Sequence, residues 1–190
     1  MVMSIKKSLK YKERNETKRK NYLDSLSMYG TEDIVYIDES GIDHNMIQEY
    51  CWIKKGTQFI GERCGGARGR TSVIAALNHN NINAPMVYNG TMNTALFLTW
   101  LGKFLLPSFI KGQVVVMDNA SIHKNIKVKE MIEAANCHLL YLPPYSPDLN
   151  PIENYWAVMK KYIRKIRHKY DDIATAIDVT LRVKYKWFYF

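Results

Sequence analysis

Cysteine is scarce in this chain and poorly placed for cross-linking. The three residues, Cys51, Cys64 and Cys137, are odd in number and far apart, and no C-x-x-C pair occurs. That excludes a zinc ribbon and a disulfide framework, and it fits a reducing, cytoplasmic setting. Long apolar runs are missing too. None approaches the ~20 residues that span a bilayer, so no membrane partner is expected. The N-terminal stretch is charged throughout and lacks the apolar segment of a signal peptide. No internal repeat and no low-complexity tract occurs. Acidic residues are in deficit, 18 against 27 Lys and Arg, which leaves a formal charge of +9. A balance of that sign favours a polyanionic partner, meaning nucleic acid or an anionic surface.

What is present is the material of a folded domain. The chain has 190 residues, 47% hydrophobic and 12% aromatic, enough for one good core and an extra arm. Residues 1–30 read as a basic N-terminal arm or linker. Its helical stripe is weak (Leu9, Tyr22, Leu23, Leu26), as expected of a solvated helix or frayed leader. A basic arm on DNA is the functional alternative.

The body, residues 31–190, reads as one domain. Ile34 to Ile37 is a short β run that Asp38-Glu39-Ser40-Gly41 should stop. Trp52-Ile53 and Gln58 to Ile60 read as a hairpin, and Gly61 to Arg70 as a glycine- and arginine-rich loop. Strands follow at Ser72 to Leu77 and Met86 to Tyr88, then an amphipathic helix from Thr91 to Leu106. Val114 to Met117 has the unbroken apolar character of a strand buried on both faces. Asn125 to Asn136 reads as a helix and His138 to Leu142 as a last strand. The clearest helix runs from Ile152 to about Lys169, with Ile152, Tyr155, Trp156, Met159, Tyr162, Ile163 and Ile166 at steps of three and four. Ile173 to Phe190 reads as a closing helix. Early hairpins followed by β-α-β units imply an α/β fold, a mixed sheet with helices on its faces.

Three acids stand where chemistry is commonly placed. Asp38 and Asp118 each follow an apolar strand, and Glu153 opens the clearest helix. With the two strands adjacent, the aspartates would face each other across roughly 5 Å. Carboxylates that close repel, so a cation is needed to keep both ionised. Two Mg²⁺ ions, which prefer oxygen ligands, meet that need, and paired metals promote in-line attack on phosphorus. Each acid also has a purely structural reading. Asp38 can cap a turn, Asp118 can make an Asx-turn, and Glu153 can complete a capping box with Asn150 across Pro151. Glu39 and Asp43 read as supporting or surface residues, and Asp148 as a turn residue.

Candidate phosphate contacts surround the acids. Lys160, Lys161 and Arg164 share the helix face of Glu153 and would follow a DNA backbone. Arg63, Arg68 and Arg70 lie in the glycine-rich loop. Lys124 adjoins His123, which either touches a phosphate, orients a ligand or simply bonds a backbone carbonyl.

The segments YIDESGI, MDNASIHK and LPPYSPDLNPIENYWAVMK resemble the catalytic domain of DDE transposases of the mariner superfamily, with the nearest look to the bacterial insertion-sequence branch. The likeness covers roughly residues 31–170, and 34 residues separate Asp118 from Glu153, the spacing of that family. The resemblance implies an RNase H-like fold and makes Asp38, Asp118 and Glu153 the metal-binding catalytic triad. It implies two Mg²⁺ ions, with Mn²⁺ as a substitute. It also implies cleavage at transposon ends, strand transfer into target DNA at a TA dinucleotide, and a dimer in a synaptic complex. Full-length relatives carry helix-turn-helix domains ahead of the catalytic domain. A separate N-terminal product is therefore expected to supply end recognition. Two other readings stay open: another RNase H-fold nuclease, and a non-catalytic DNA-binding relic.

Overall fold

The computed structural model describes residues 11–44, 54–56 and 69–182. The two expected hairpin strands, 52–53 and 58–60, together with Arg63, Arg68 and most of the glycine-rich loop, lie outside the described residues, as do residues 183–190 of the expected closing helix.

Five strands form one mixed sheet. They are β1 (Ile34–Asp43), β2 (Arg70–Asn78), β3 (Asn81–Asn89), β4 (Val114–Met117) and β5 (His138–Tyr141), in the order β3-β2-β1-β4-β5. The β3-β2-β1 half is antiparallel, and β1-β4-β5 is parallel. The α-helices among the described residues are α1 (Glu16–Leu26), α2 (Thr94–Trp100), α3 (Ile126–Ala134), α4 (Ile152–Ile166) and α5 (Ile173–Arg182). This is the expected mixed sheet flanked by helices. Among the described residues no helix is long and apolar enough to cross a membrane.

Alternation along the strands builds two cores. Val35, Ile37, Ile74, Val115 and Met117 face one side, against Phe97, Trp100, Val128 and Ile132. Ile42, Val73, Ala75 and Leu77 meet α4 and α5 on the other side, through Ile152, Trp156, Met159 and Ile177. All four residues of β4 are buried, as its composition predicts. Trp100 and Trp156 are among the largest fully buried side chains, and truncation of such residues costs ~3–5 kcal/mol.

Several boundaries move, each for a tertiary reason. β1 does not stop at Ile37; it pairs with β2 from Val35 to Asp43. That ladder outweighs the turn propensity of Asp-Glu-Ser-Gly. β3 carries one bulge: its register shifts between the pairs Ile74–Met86 and Ala76–Asn83, where Ala84 has φ +48°. The bulge accommodates Pro85, and β3 is an edge strand, where a missing N–H is tolerated. α2 starts late, at Thr94, because Asn93 caps it by accepting from the Leu96 amide at 2.9 Å. A wider π-type turn, Leu101–Leu105, continues it towards Pro107. α4 tightens into a 3₁₀ turn after Ile166.

The largest departure is α1. It is exposed along most of its length, as expected, but two of its side chains are buried against the domain. Tyr22 is buried with Ile34, Val114, Val116 and Leu142, and so closes the core beneath β1 and β4. Arg19 is also buried, and its guanidinium donates twice to Asp148, at 2.9 and 2.7 Å. The weak apolar stripe concealed this, because one tyrosine and one arginine make the contact.

Candidate active site

β1 and β4 run parallel with Ile34 beside Val114, Val35 beside Val115 and Tyr36 beside Val116. Asp38 and Asp118 each lie two residues beyond the last pair, at the same end of these neighbouring strands. Asp38 lies within β1 rather than at its end, but the β4 ladder stops at Tyr36, which leaves that flank of Asp38 open. Glu153 stands in the first turn of α4. All three acids line one cleft of about 430 Å³, together with the loop 142–147, Asn150 and Tyr11.

Each acid is held differently. The Trp156 indole N–H donates to Asp38 Oδ2 at 3.0 Å, so the helix that carries Glu153 also grips Asp38. Burial and the negative charge of Glu153 push the Asp38 carboxyl up to about 7. Asp118 does make the Asx-turn: its Oδ1 accepts from the Ala120 amide at 2.8 Å. The same oxygen lies 2.6 Å from His123 Nδ1, and that bond holds the Asp118 carboxyl below its usual value. Turn and site are thus compatible, since Oδ2 is left for the cleft. The capping box expected of Glu153 does not form. Pro151 occupies the cap position, and no side-chain hydrogen bond caps α4.

His123 is 0% exposed, so it does not sit on a surface that phosphate can reach. Its ring packs against Phe97 at 4.7 Å, and its Nε2 lies 3.4 Å from Glu39 Oε1. Burial alone would lower its basicity, but the hydrogen bond to Asp118 and the neighbouring charge of Glu39 outweigh it and raise the imidazole to about 9. Tyr141 donates its hydroxyl to the His123 carbonyl at 2.9 Å, and Asn119 Nδ2 donates to the Leu142 carbonyl. The loop after β4 is therefore tied to the loop after β5.

The predicted basic residues divide. Lys161 and Arg164 are exposed and Lys160 half-buried, on the face of α4 that shows Glu153. Lys124 is exposed, and its charge contributes to lowering the Asp118 carboxyl. Arg70 begins β2 opposite Asp43 and lies across Gly41; it is not among the residues that line the cleft.

Sequence reasoning missed four participants. Trp156 reads as a stripe residue, although its N–H signals a partner when the ring is buried. Glu39 reads as supporting, without a visible partner. Arg19 and Tyr11 read as parts of a solvated arm.

Among the described residues, no three His, Cys, Asp or Glu side chains stand close enough to grip a metal ion unaided. The cleft nonetheless suits a hard cation. Its acidic donors are all oxygens, and the repulsion between Glu153 and Asp38 is the kind that a divalent ion relieves.

Comparison with known proteins fits this geometry. A transposase of Caenorhabditis elegans, that of the transposable element Tc1, is 33% identical over 72 residues, 38% of this chain and 26% of the transposase. An uncharacterised protein of Sinorhizobium fredii is 41% identical over 64 residues, 33% of this chain and 45% of that protein. The chain thus spans less than half the length of these curated relatives. The fold matches a pre-cleavage Mos1 transpososome with TM-score 0.66 at 18% identity, covering 99% of this chain and 68% of that one. It matches the catalytic domain of Mos1 mariner transposase with TM-score 0.57 at 16% identity, covering 95% and 93%. The sheet and its helices are therefore RNase H-like, as the resemblance implied. The model of a family described as DDE superfamily endonuclease matches residues 33–176. Matched over most of its length, the chain belongs to the DDE superfamily endonucleases.

Proposed function

We propose that this chain is the catalytic part of a transposase, which cleaves DNA at transposon ends and transfers the freed strand to target DNA. One observation carries the reading: the β1–β4 register and the first turn of α4 bring Asp38, Asp118 and Glu153 to one cleft. The three acids are proposed as the catalytic triad and as the ligands of divalent metal, Mg²⁺ or Mn²⁺, two ions per site. A bound pair of such ions supplies Lewis acidity for attack on phosphorus. A Mos1 paired-end complex contains Mn and another contains Mg, which supports that choice.

The chain's own groups do the rest. Trp156 fixes the orientation of Asp38, and His123 fixes that of Asp118. The loop 142–147 walls the cleft against bulk water on one side. Lys124, Lys160, Lys161 and Arg164 are proposed to neutralise DNA phosphates, with Arg63, Arg68 and Arg70 as further contacts. The proposed partners are transposon-end and target DNA, a second copy of the chain in a synaptic complex, and a helix-turn-helix product that reads the ends. The bacterial insertion-sequence branch and a cytoplasmic, nucleoid-associated setting belong to the same proposal.

Anomalous diffraction from Mn²⁺-soaked crystals tests it, with wild type and Asp118→Asn compared. One or two peaks bracketed by the three carboxylates, lost in the variant, are expected. Strand transfer of a pre-cleaved end in Mn²⁺ is the matching activity. Hydrolysis of RNA–DNA hybrids without strand transfer would favour a different nuclease. DNA binding that persists unchanged beside a metal-free site would favour a relic.

A further inference from the structure

Two aromatic rings that line the cleft belong to none of the buried core clusters. Tyr11 is 54% exposed and Tyr145 is 55% exposed, yet both line the cleft that holds the three acids. Their rings lie against each other, with centroids 5.9 Å apart and planes tilted by 43°. The other exposed large apolar side chains, Leu23, Met28, Phe104, Ile110 and Ile126, do not line it.

Tyr145 is also held at a cost. Its φ is +57°, in the left-handed region that a bulky residue seldom adopts. The surroundings enforce that conformation. Pro144 precedes it and accepts from the Ser146 hydroxyl at 3.2 Å, and a 3₁₀ turn, Pro147–Leu149, follows. The buried Arg19 then clamps that turn through both oxygens of Asp148. The same clamp brings Tyr11 to the loop, since Tyr11 precedes α1. Strain maintained from two sides, to expose a ring beside a candidate phosphoryl-transfer centre, points to a ligand with a flat face.

In duplex DNA the faces of internal bases are covered by their neighbours. Only an unpaired or terminal base offers a face to a protein ring, and aromatic stacking is the sequence-tolerant way to hold one. We propose that Tyr145, backed by Tyr11, is a stacking platform for an unpaired nucleobase next to the scissile phosphate. The preferred substrate is then a DNA end frayed by a nucleotide or more. This inference rests on the DNA-cleaving reading of the cleft.

The test uses the full chain, Ca²⁺ to hold DNA without cleavage, and an oligonucleotide duplex with 2-aminopurine as its unpaired terminal base. Anisotropy of a remote dye reports binding, and quenching of 2-aminopurine reports stacking. Wild type and Tyr145→Phe should quench. Tyr145→Asn, which tolerates the left-handed backbone but has no ring, should lose the quench and bind about tenfold more weakly. Tyr11→Ala should weaken the quench from a separate segment, which guards against misfolding of the loop. A quench that survives in both ring-deleted variants overturns the platform. Wild-type binding without any quench also overturns it and leaves the DNA reading intact. Absence of wild-type binding to any DNA overturns the DNA reading, and the platform with it.

Discussion

Trp156 donates its indole N–H to Asp38 across 118 positions of sequence, at 3.0 Å. Since Trp156 follows Glu153 by one helical turn, a single turn of α4 presents one acid and holds another. The hydrogen bond acts to lower the Asp38 carboxyl, against the burial that raises it. Trp156→Phe removes it with modest loss of volume. Hydrogen bonds to charged groups contribute ~1.5–3 kcal/mol. Mn²⁺ affinity, measured by paramagnetic resonance titration, should therefore fall about tenfold or more, with the fold retained by circular dichroism.

The apo protein should lose stability as pH rises. Asp38 in the folded state titrates at about 7, against an ordinary value of 3.8. The folded state therefore binds a proton that the unfolded chain has already released. The stabilisation from this is fully present below the unfolded value and is lost as pH rises through about 7. Asp38→Asn removes the penalty. In denaturant titrations without metal, this variant should be more stable than wild type at pH 8, by on the order of 4 kcal/mol, and close to it at pH 4. Added Mg²⁺ should stabilise wild type alone.

His123 produces a second, higher window. Its imidazole titrates at about 9 in the fold, against 6.5 ordinarily. A raised value again means stability present below the unfolded pKa and lost through the folded one. Chemical-shift titration of the His123 ring should place its midpoint near that value. The Glu39→Gln variant should bring the midpoint down, because Glu39 is one of the two acids that hold the charge.

Arg19 and Asp148 should behave as one unit. The fork is buried at Arg19 but partly solvated at Asp148, where the side chain is 45% exposed. Screening at that end limits the pair to about 1–2 kcal/mol in a double-mutant cycle. Arg19→Lys should not rescue, because an ammonium cannot make the two parallel bonds. Urea titrations of the two single variants and the double variant check this.

The basic face of α4 should set the salt dependence of DNA binding. Each phosphate contact removed lowers the slope of log K against log salt by ~0.9. Joint replacement of Lys160, Lys161 and Arg164 by Ala should cut the slope by up to about three and leave Mn²⁺ binding unchanged. A slope equal to that of wild type would remove this face from the interface.

Local pattern alone identified much of the molecule. β4 is an unbroken apolar run and proved buried throughout. The stripe of α4 is buried at Ile152, Tyr155, Trp156, Met159, Ile163 and Ile166, as its spacing requires, and only Tyr162 stays half-buried. The positions of the three acids, beside those elements, were legible for the same reason: periodicity and flanking residues are local properties. What tertiary structure alone decided is long-range. Only pairing with β2 carries β1 past Asp38, and only the parallel register brings Asp38 and Asp118 to the same end of neighbouring strands. The Arg19–Asp148 fork joins residues 129 positions apart, and it ties an arm with little apolar signal to the turn that follows the cleft-lining loop. His123 beneath Asp118 and the exposed ring of Tyr145 depend likewise on which surfaces meet. A residue's own neighbours in sequence state its propensity; its neighbours in space determine whether it is buried, charged or free to bind.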